Sequence, residues 1–237
     1  MIFENNDPGV AVPKKDLTSV VLQRVDELGD KSALIDGTSG RALSYNELSS
    51  QIKHLAAGLN QRGFKKGDVC AVFCPNMPEY ATIFLGVASI GGINTTVNSL
   101  YSINDLVHQF NDSNAKFLIT IPDFMDRALP AAKKCGIEEI FVLGEAEGAT
   151  PFSELLSNDG NPPEVAIDPK NDLVALPYSS GTTGLSKGVM LTHENLVSDM
   201  VLTTSINTLT DDDVLIGVLP FFHIYGMVLI LNLAIFK

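Results

Sequence analysis

Short apolar runs and stretches of helical spacing alternate along most of this chain. Runs at 32–36, 68–73, 116–120, 139–143 and 173–176 read as strands, those at 68–73 and 173–176 as buried ones. Between the first two, Ser44-Tyr45-Asn46-Glu47 has the form of a capping box. It opens an amphipathic helix whose inward face carries Leu48, Ile52, Leu55, Ala56 and Leu59. Further helices are predicted over 78–90, 104–111 and 123–135. Successive units of this kind require right-handed crossovers, so the pattern predicts an α/β fold with doubly wound, mostly parallel sheets and flanking helices. Asn158-Asp159-Gly160-Asn161-Pro162-Pro163 reads as a linker, dividing a first subdomain at 1–163 from a second that starts at 164 and runs to 237.

The ends of the pattern add two expectations. Residues 227–236 are almost wholly apolar, well short of the roughly 20 needed to span a bilayer, and read as a buried core helix with no membrane span. That helix reaches Lys237 with neither cap nor polar tail, so the chain is expected to be cut inside an element. Near the start, Glu4, Asn5, Asn6 and Asp7 follow Met1 without the basic-then-apolar order of a signal peptide.

Composition narrows the chemistry. With 237 residues and 45% hydrophobic content, the chain can bury a substantial core. The 28 acidic against 16 basic residues give a formal charge of −12, which argues against a nucleic-acid partner. An anionic ligand would therefore be attracted by local donors and a metal ion, without help from long-range steering. Cys70, Cys74 and Cys135 are odd in number and lie in apolar surroundings, which suits a reducing compartment. Cys70 and Cys74 fall on a strand and its exit with no paired partner motif, and read as structural thiols.

The most informative segment is Tyr178-Ser179-Ser180-Gly181-Thr182-Thr183-Gly184-Leu185-Ser186-Lys187-Gly188-Val189, which follows the apolar run at 173–176. Its glycines let backbone N–H groups approach a ligand, its hydroxyls add donors and Lys187 adds positive charge, a combination suited to polyphosphate. It is not a Walker A loop. Gly181 and Lys187 have the right separation, but Ser186 replaces the second glycine and Gly188 the magnesium-binding hydroxyl.

This loop, with Met190-Leu191-Thr192-His193 behind it, resembles the phosphate-loop motif of the adenylate-forming superfamily, which includes acyl-CoA synthetases, 4-coumarate:CoA ligases, beetle luciferases and nonribosomal adenylation domains. Leu219-Pro220-Phe221-Phe222-His223-Ile224-Tyr225-Gly226-Met227 is similar to the family's aromatic-histidine segment, most like the 4-coumarate:CoA ligase version. Leu43-Ser44-Tyr45-Asn46-Glu47-Leu48 and Asn76-Met77-Pro78-Glu79-Tyr80 resemble its early core motifs. The likeness covers nearly the whole chain. It implies the incomplete large N-terminal domain of such an enzyme, with the C-terminal domain absent.

By that resemblance the full protein is an ATP-dependent acid–thiol ligase that makes an acyl-AMP and passes the acyl group to CoA. Ser179, Ser180, Gly181, Thr182, Thr183, Gly184 and Lys187 would bind the ATP phosphates, and Thr183 would stand near Mg2+. Lys187 and His223 would be the catalytic residues; His223 would neighbour the carboxylate, and Tyr225 would line the acyl pocket. Ser186 is read either as a phosphate contact or as bonded within the loop. Phe221 and Phe222 read as core before pocket wall, His193 as structural, and His54 and His108 as helix residues without a role.

The implied partners are a small-molecule carboxylic acid, ATP and CoA. Tyr225 permits an aromatic acid, whereas Leu229 replaces a more polar residue of some plant ligases, which leaves fatty acids attractive. The family's later motifs are missing before Lys237, so this piece is expected to be inactive alone and to associate through surface the missing half would cover. A luciferase-like adenylating oxygenase and a shortened non-catalytic isoform that binds nucleotide or a partner remain as alternatives. The expected compartment is cytoplasmic, or peroxisomal through a signal beyond this chain.

Overall fold

A computed structural model describes residues 9–179, 186–206 and 209–237. Two short helices, α1 (Leu17–Val21) and α2 (Val25–Leu28), lead into a hairpin of β1 (Ser32–Ile35) and β2 (Ala42–Ser44). Ser44 then caps α3 (Tyr45–Gln61). Its hydroxyl accepts from the Glu47 N–H while its own N–H donates to the Glu47 carboxylate at 2.8 Å, so the predicted capping box forms.

Strand and helix now alternate: β3 (Val69–Phe73), α4 (Glu79–Ser89), β4 (Ile93–Thr96), α5 (Ile103–Ser113), β5 (Ala115–Thr120), α6 (Met125–Cys135) and β6 (Glu139–Val142). After β7 (Thr150–Pro151) and α7 (Ser153–Leu156) come β8 (Leu173–Ala175), a small hairpin of β9 (Tyr178–Ser179) and β10 (Lys187–Gly188), β11 (Leu191–Thr192) and α8 (His193–Ile206). A π-helix over Gly226–Asn232 runs into α9 (Leu233–Phe236).

The main sheet has seven strands in the order β11-β8-β4-β3-β5-β6-β7, parallel throughout except for β11 against β8. β3 is buried along its full length because it is covered on both faces. Cys70 and Val72 share a core with Leu55 and Leu59 of α3 and Ile83 and Val87 of α4. Val69, Ala71 and Phe73 share a second core with Leu106 and Phe110 of α5 and Ala128 of α6. The sheet is therefore doubly wound, as its alternating pattern predicts.

Two elements differ from sequence expectation. β4 is central yet reads Ile-Asn-Thr-Thr, without the apolar run that marks a buried parallel strand. Asn94, Thr95 and Thr96 are buried because partners wait for them: Asn94 Nδ2 donates to the Phe84 carbonyl at 3.0 Å, and the threonines bond as described below. The apolar stretch near the chain end is buried as expected, but its first part winds as a π-helix. There Asn232 Nδ2 bonds the Met227 carbonyl five residues back at 2.8 Å. Among the described residues no helix is long and apolar enough to cross a membrane.

Candidate functional site

Beyond β8 the chain is tied to β4 before it turns outward. The Leu176 N–H donates to the Asn94 carbonyl at 2.8 Å, and the Leu176 carbonyl accepts from the Thr95 hydroxyl at 3.1 Å. β9 and β10 then pair antiparallel, Lys187 opposite Ser179 and Gly188 opposite Tyr178. The Val189 N–H closes the stem on the Pro177 carbonyl at 2.9 Å. Ser179 and Lys187 are both exposed and stand across from each other at the outer end of this stem. Ser180, Gly181, Thr182, Thr183 and Gly184, and with them the magnesium position expected at Thr183, lie outside the described residues.

The helix after the hairpin begins with a reciprocal cap: the Thr192 N–H donates to Asn195 Oδ1 at 3.0 Å, and the Asn195 N–H donates to Thr192 Oγ1 at 3.3 Å. His193 is buried at this junction, with Nδ1 accepting from the Leu17 N–H at 3.0 Å. Burial holds its pKa below the usual histidine value. Its place is structural, joining α8 to α1. His108 is different from its sequence reading, because its Nε2 lies 2.9 Å from the Ser186 carbonyl, just before β10 at the outer end of the stem. Nothing in the local pattern of α5 marks that contact, which depends on where β10 packs.

The aromatic-histidine segment is held from the sheet side. Asn76 Nδ2 donates to the Gly217 and Leu219 carbonyls at 2.7 and 2.8 Å, while its Oδ1 accepts from the Phe221 N–H at 2.8 Å. This is a role that the motif around Asn76 carries and that sequence reading alone did not assign. An asparagine just past a buried strand was the available signal, since its amide can serve both donors and acceptors of a crossing backbone. Phe221 is buried edge-on to Tyr80, with ring centroids 5.7 Å apart, and belongs to the core. The Phe222 carbonyl accepts from the Thr96 hydroxyl at 2.8 Å.

His223 and Tyr225 follow on the exposed side, Tyr225 at 52% exposure, and the Tyr225 N–H points to His223 Nδ1 at 3.4 Å. Upstream, Val214, Ile216 and Val218 are strongly exposed, at 79, 80 and 77%. The end of β4 thus anchors both segments: Thr95 bonds Leu176 ahead of the hairpin, and Thr96 bonds Phe222 ahead of His223.

A cavity of about 690 Å³ lies between β1, Asn76 and residues 209–218, and neither Lys187, His223 nor Tyr225 lines it. Cys70 and Cys74 are buried, and burial pushes both thiols far above their ordinary pKa. Among the described residues no cluster of three or more His, Cys, Asp or Glu side chains could hold a metal ion.

Comparison with known proteins gives a consistent result. The family model described as AMP-binding enzyme matches residues 21–237. The chain is similar to a probable 4-coumarate–CoA ligase 1 of Dictyostelium discoideum, 36% identical, over 98% of this chain and 46% of that protein. Among solved structures it is similar to a long-chain-fatty-acid-CoA ligase from Archaeoglobus fulgidus, with a TM-score of 0.88 and 27% identity, over 98% of this chain and 47% of the other. An ATP-bound MatB from Rhodopseudomonas palustris matches with a TM-score of 0.77 and 28% identity, over 94% of this chain and 44% of the other. The chain spans about half the length of the curated relatives it matches.

Proposed function

The chain belongs to the AMP-binding enzyme family, and from that premise we propose that it carries the phosphate-binding side of an ATP-dependent ligase joining a carboxylic acid to CoA. A carboxylate is a poor electrophile, being anionic and having oxide as its leaving group. In the proposed first step a carboxylate oxygen attacks the α-phosphorus of ATP in line, the bond to the β-phosphate oxygen breaks, and pyrophosphate leaves. In the second, the CoA thiol attacks the acyl carbon and AMP leaves. Neither step needs a protein nucleophile, so the protein's work is positioning and charge stabilisation.

The observation that carries this reading is the pairing of Lys187 with Ser179 at the exposed end of a stem anchored at its base. A cation and a hydroxyl there suit the β- and γ-phosphates, with Ser180, Gly181, Thr182, Thr183 and Gly184 as the proposed remaining contacts. Magnesium, proposed near Thr183, would neutralise charge on the departing pyrophosphate. His223 is proposed beside the reacting carboxylate and Tyr225 along the acyl pocket.

Residues 1–237 are proposed to bind nucleotide without efficient turnover. His223 and Tyr225 face solvent, and a site open on that side cannot exclude water from a mixed anhydride. Calorimetric titration of the 237-residue chain with MgATP tests the reading. Saturable binding that Lys187→Ala weakens about tenfold or more is expected. Equal affinity in the two proteins would overturn it.

A further inference from the structure

We infer that α5 positions the β9–β10 hairpin through two side chains one helical turn apart, His108 bonding the residue just before β10 and Asp112 bonding Tyr178 of β9. The functional consequence rests on the phosphate-binding role proposed above for that hairpin; the positioning itself does not.

His108 and Asp112 stand four residues apart and so share one face of α5. In its Nε2–H tautomer the His108 ring donates to the Ser186 carbonyl at 2.9 Å, immediately before β10. The Asp112 carboxylate accepts from the Tyr178 hydroxyl at 2.5 Å, on β9. Burial, and then the bond to Asp112, push the Tyr178 phenol above its usual range, which keeps it a donor. The Tyr178 ring also meets His108 edge-on, with centroids 6.3 Å apart at 88°. On β10, a Cβ at Gly188 would lie 3.1 Å from that ring, a tight contact that packs the ring closely over the Gly188 backbone.

The other side of α5 is fixed to the sheet. Leu106 and Phe110 enter the core, and the buried Gln109 donates to the Thr95 hydroxyl at 2.8 Å and the Thr96 carbonyl at 3.1 Å. α5 is therefore a rigid support whose outward residues reach the hairpin. That support matters because, among the described residues, the β9–β10 ladder holds two residue pairs, and an isolated two-stranded ribbon is marginal in water. A stem held in place lowers the ordering cost that a phosphate ligand would otherwise bear. His108 and Asp112 are positioning residues; the sequence offers them no motif, because each acts on a strand distant in the chain.

The test combines amide hydrogen exchange with MgATP affinity on the 237-residue chain. His108→Ala and Asp112→Ala are each expected to raise exchange at the Val189 amide about tenfold while β3 and β5 stay protected. His108→Gln and Asp112→Asn, which keep a donor and an acceptor at these points, are expected to restore protection. MgATP affinity should fall in step with stem opening. Unchanged Val189 exchange in both alanine variants would overturn the inference. So would normal affinity in opened stems when Lys187→Ala lowers it. If Lys187→Ala leaves affinity unchanged, the phosphate-binding reading fails, and the exchange data alone decide whether His108 and Asp112 hold the stem.

Discussion

The Thr96 hydroxyl donates to the Phe222 carbonyl at 2.8 Å, tying the central strand β4 to the residue before His223 across 126 positions of sequence. Its neighbour Thr95 does the same for Leu176 ahead of the β9–β10 hairpin. Successive strand residues point to opposite faces, so two adjacent hydroxyls reach two separate segments. The polar end of β4 is the fixed point from which both parts of the candidate site depart.

Replacing Thr96 with valine keeps the shape and removes the donor. The Phe222 carbonyl then loses its partner, and unfolding free energy should fall by about 1–3 kcal/mol. Urea denaturation of Thr96→Val against the parent chain measures this; an unchanged midpoint would show that water replaces the hydroxyl at no cost.

Asn76 makes three bonds to the 217–221 backbone, and alanine there removes all of them. A loss of about 2–3 kcal/mol is expected, concentrated in that segment. Limited proteolysis should cut Asn76→Ala faster around residues 209–219 than the parent. Aspartate should be as damaging, because it cannot donate to the Gly217 and Leu219 carbonyls.

At Gly226 a Cβ would lie 2.2 Å from the Pro220 carbonyl oxygen, too close for any side chain without backbone movement. Gly226→Ala gains up to about 1 kcal/mol of backbone entropy, yet the forced shift should outweigh it. A net loss of about 2 kcal/mol is expected, lowering Tm by roughly 4–8 °C in calorimetry.

His193 gives the pH dependence a sign. Desolvation by burial lowers its folded-state pKa, and Nδ1 must stay unprotonated to accept from Leu17. The unfolded chain therefore binds a proton first as pH falls below about 6.5. Its contribution is intact above that value and is lost progressively down to the lower folded pKa. Urea midpoints at about pH 5.5 should fall below those at about pH 7.5, and His193→Gln should flatten this part of the slope.

Much of the fold was legible because its signals are local. The capping box of Ser44 and Glu47, the buried run of β3 and the alternation of strand with helix each follow from neighbours within a few residues. The glycine- and hydroxyl-rich loop with Lys187 stands out for the same local reason, and its phosphate-binding role is the proposal made above. β4 was not, because Asn94, Thr95 and Thr96 look like loop residues until Phe84, Leu176 and Phe222 arrive to bond them.

By itself the sequence determined which segments could be strands or helices and which side chains could meet an anion. Only the tertiary structure decided that Asn76 would hold the aromatic segment, that His108 and Asp112 would face the hairpin, and that residues 226–232 would wind as a π-helix. The reason is that capping and periodicity act within a turn or two of chain. A hydrogen bond spanning 66 to 141 residues exists only once the sheet has placed both its ends.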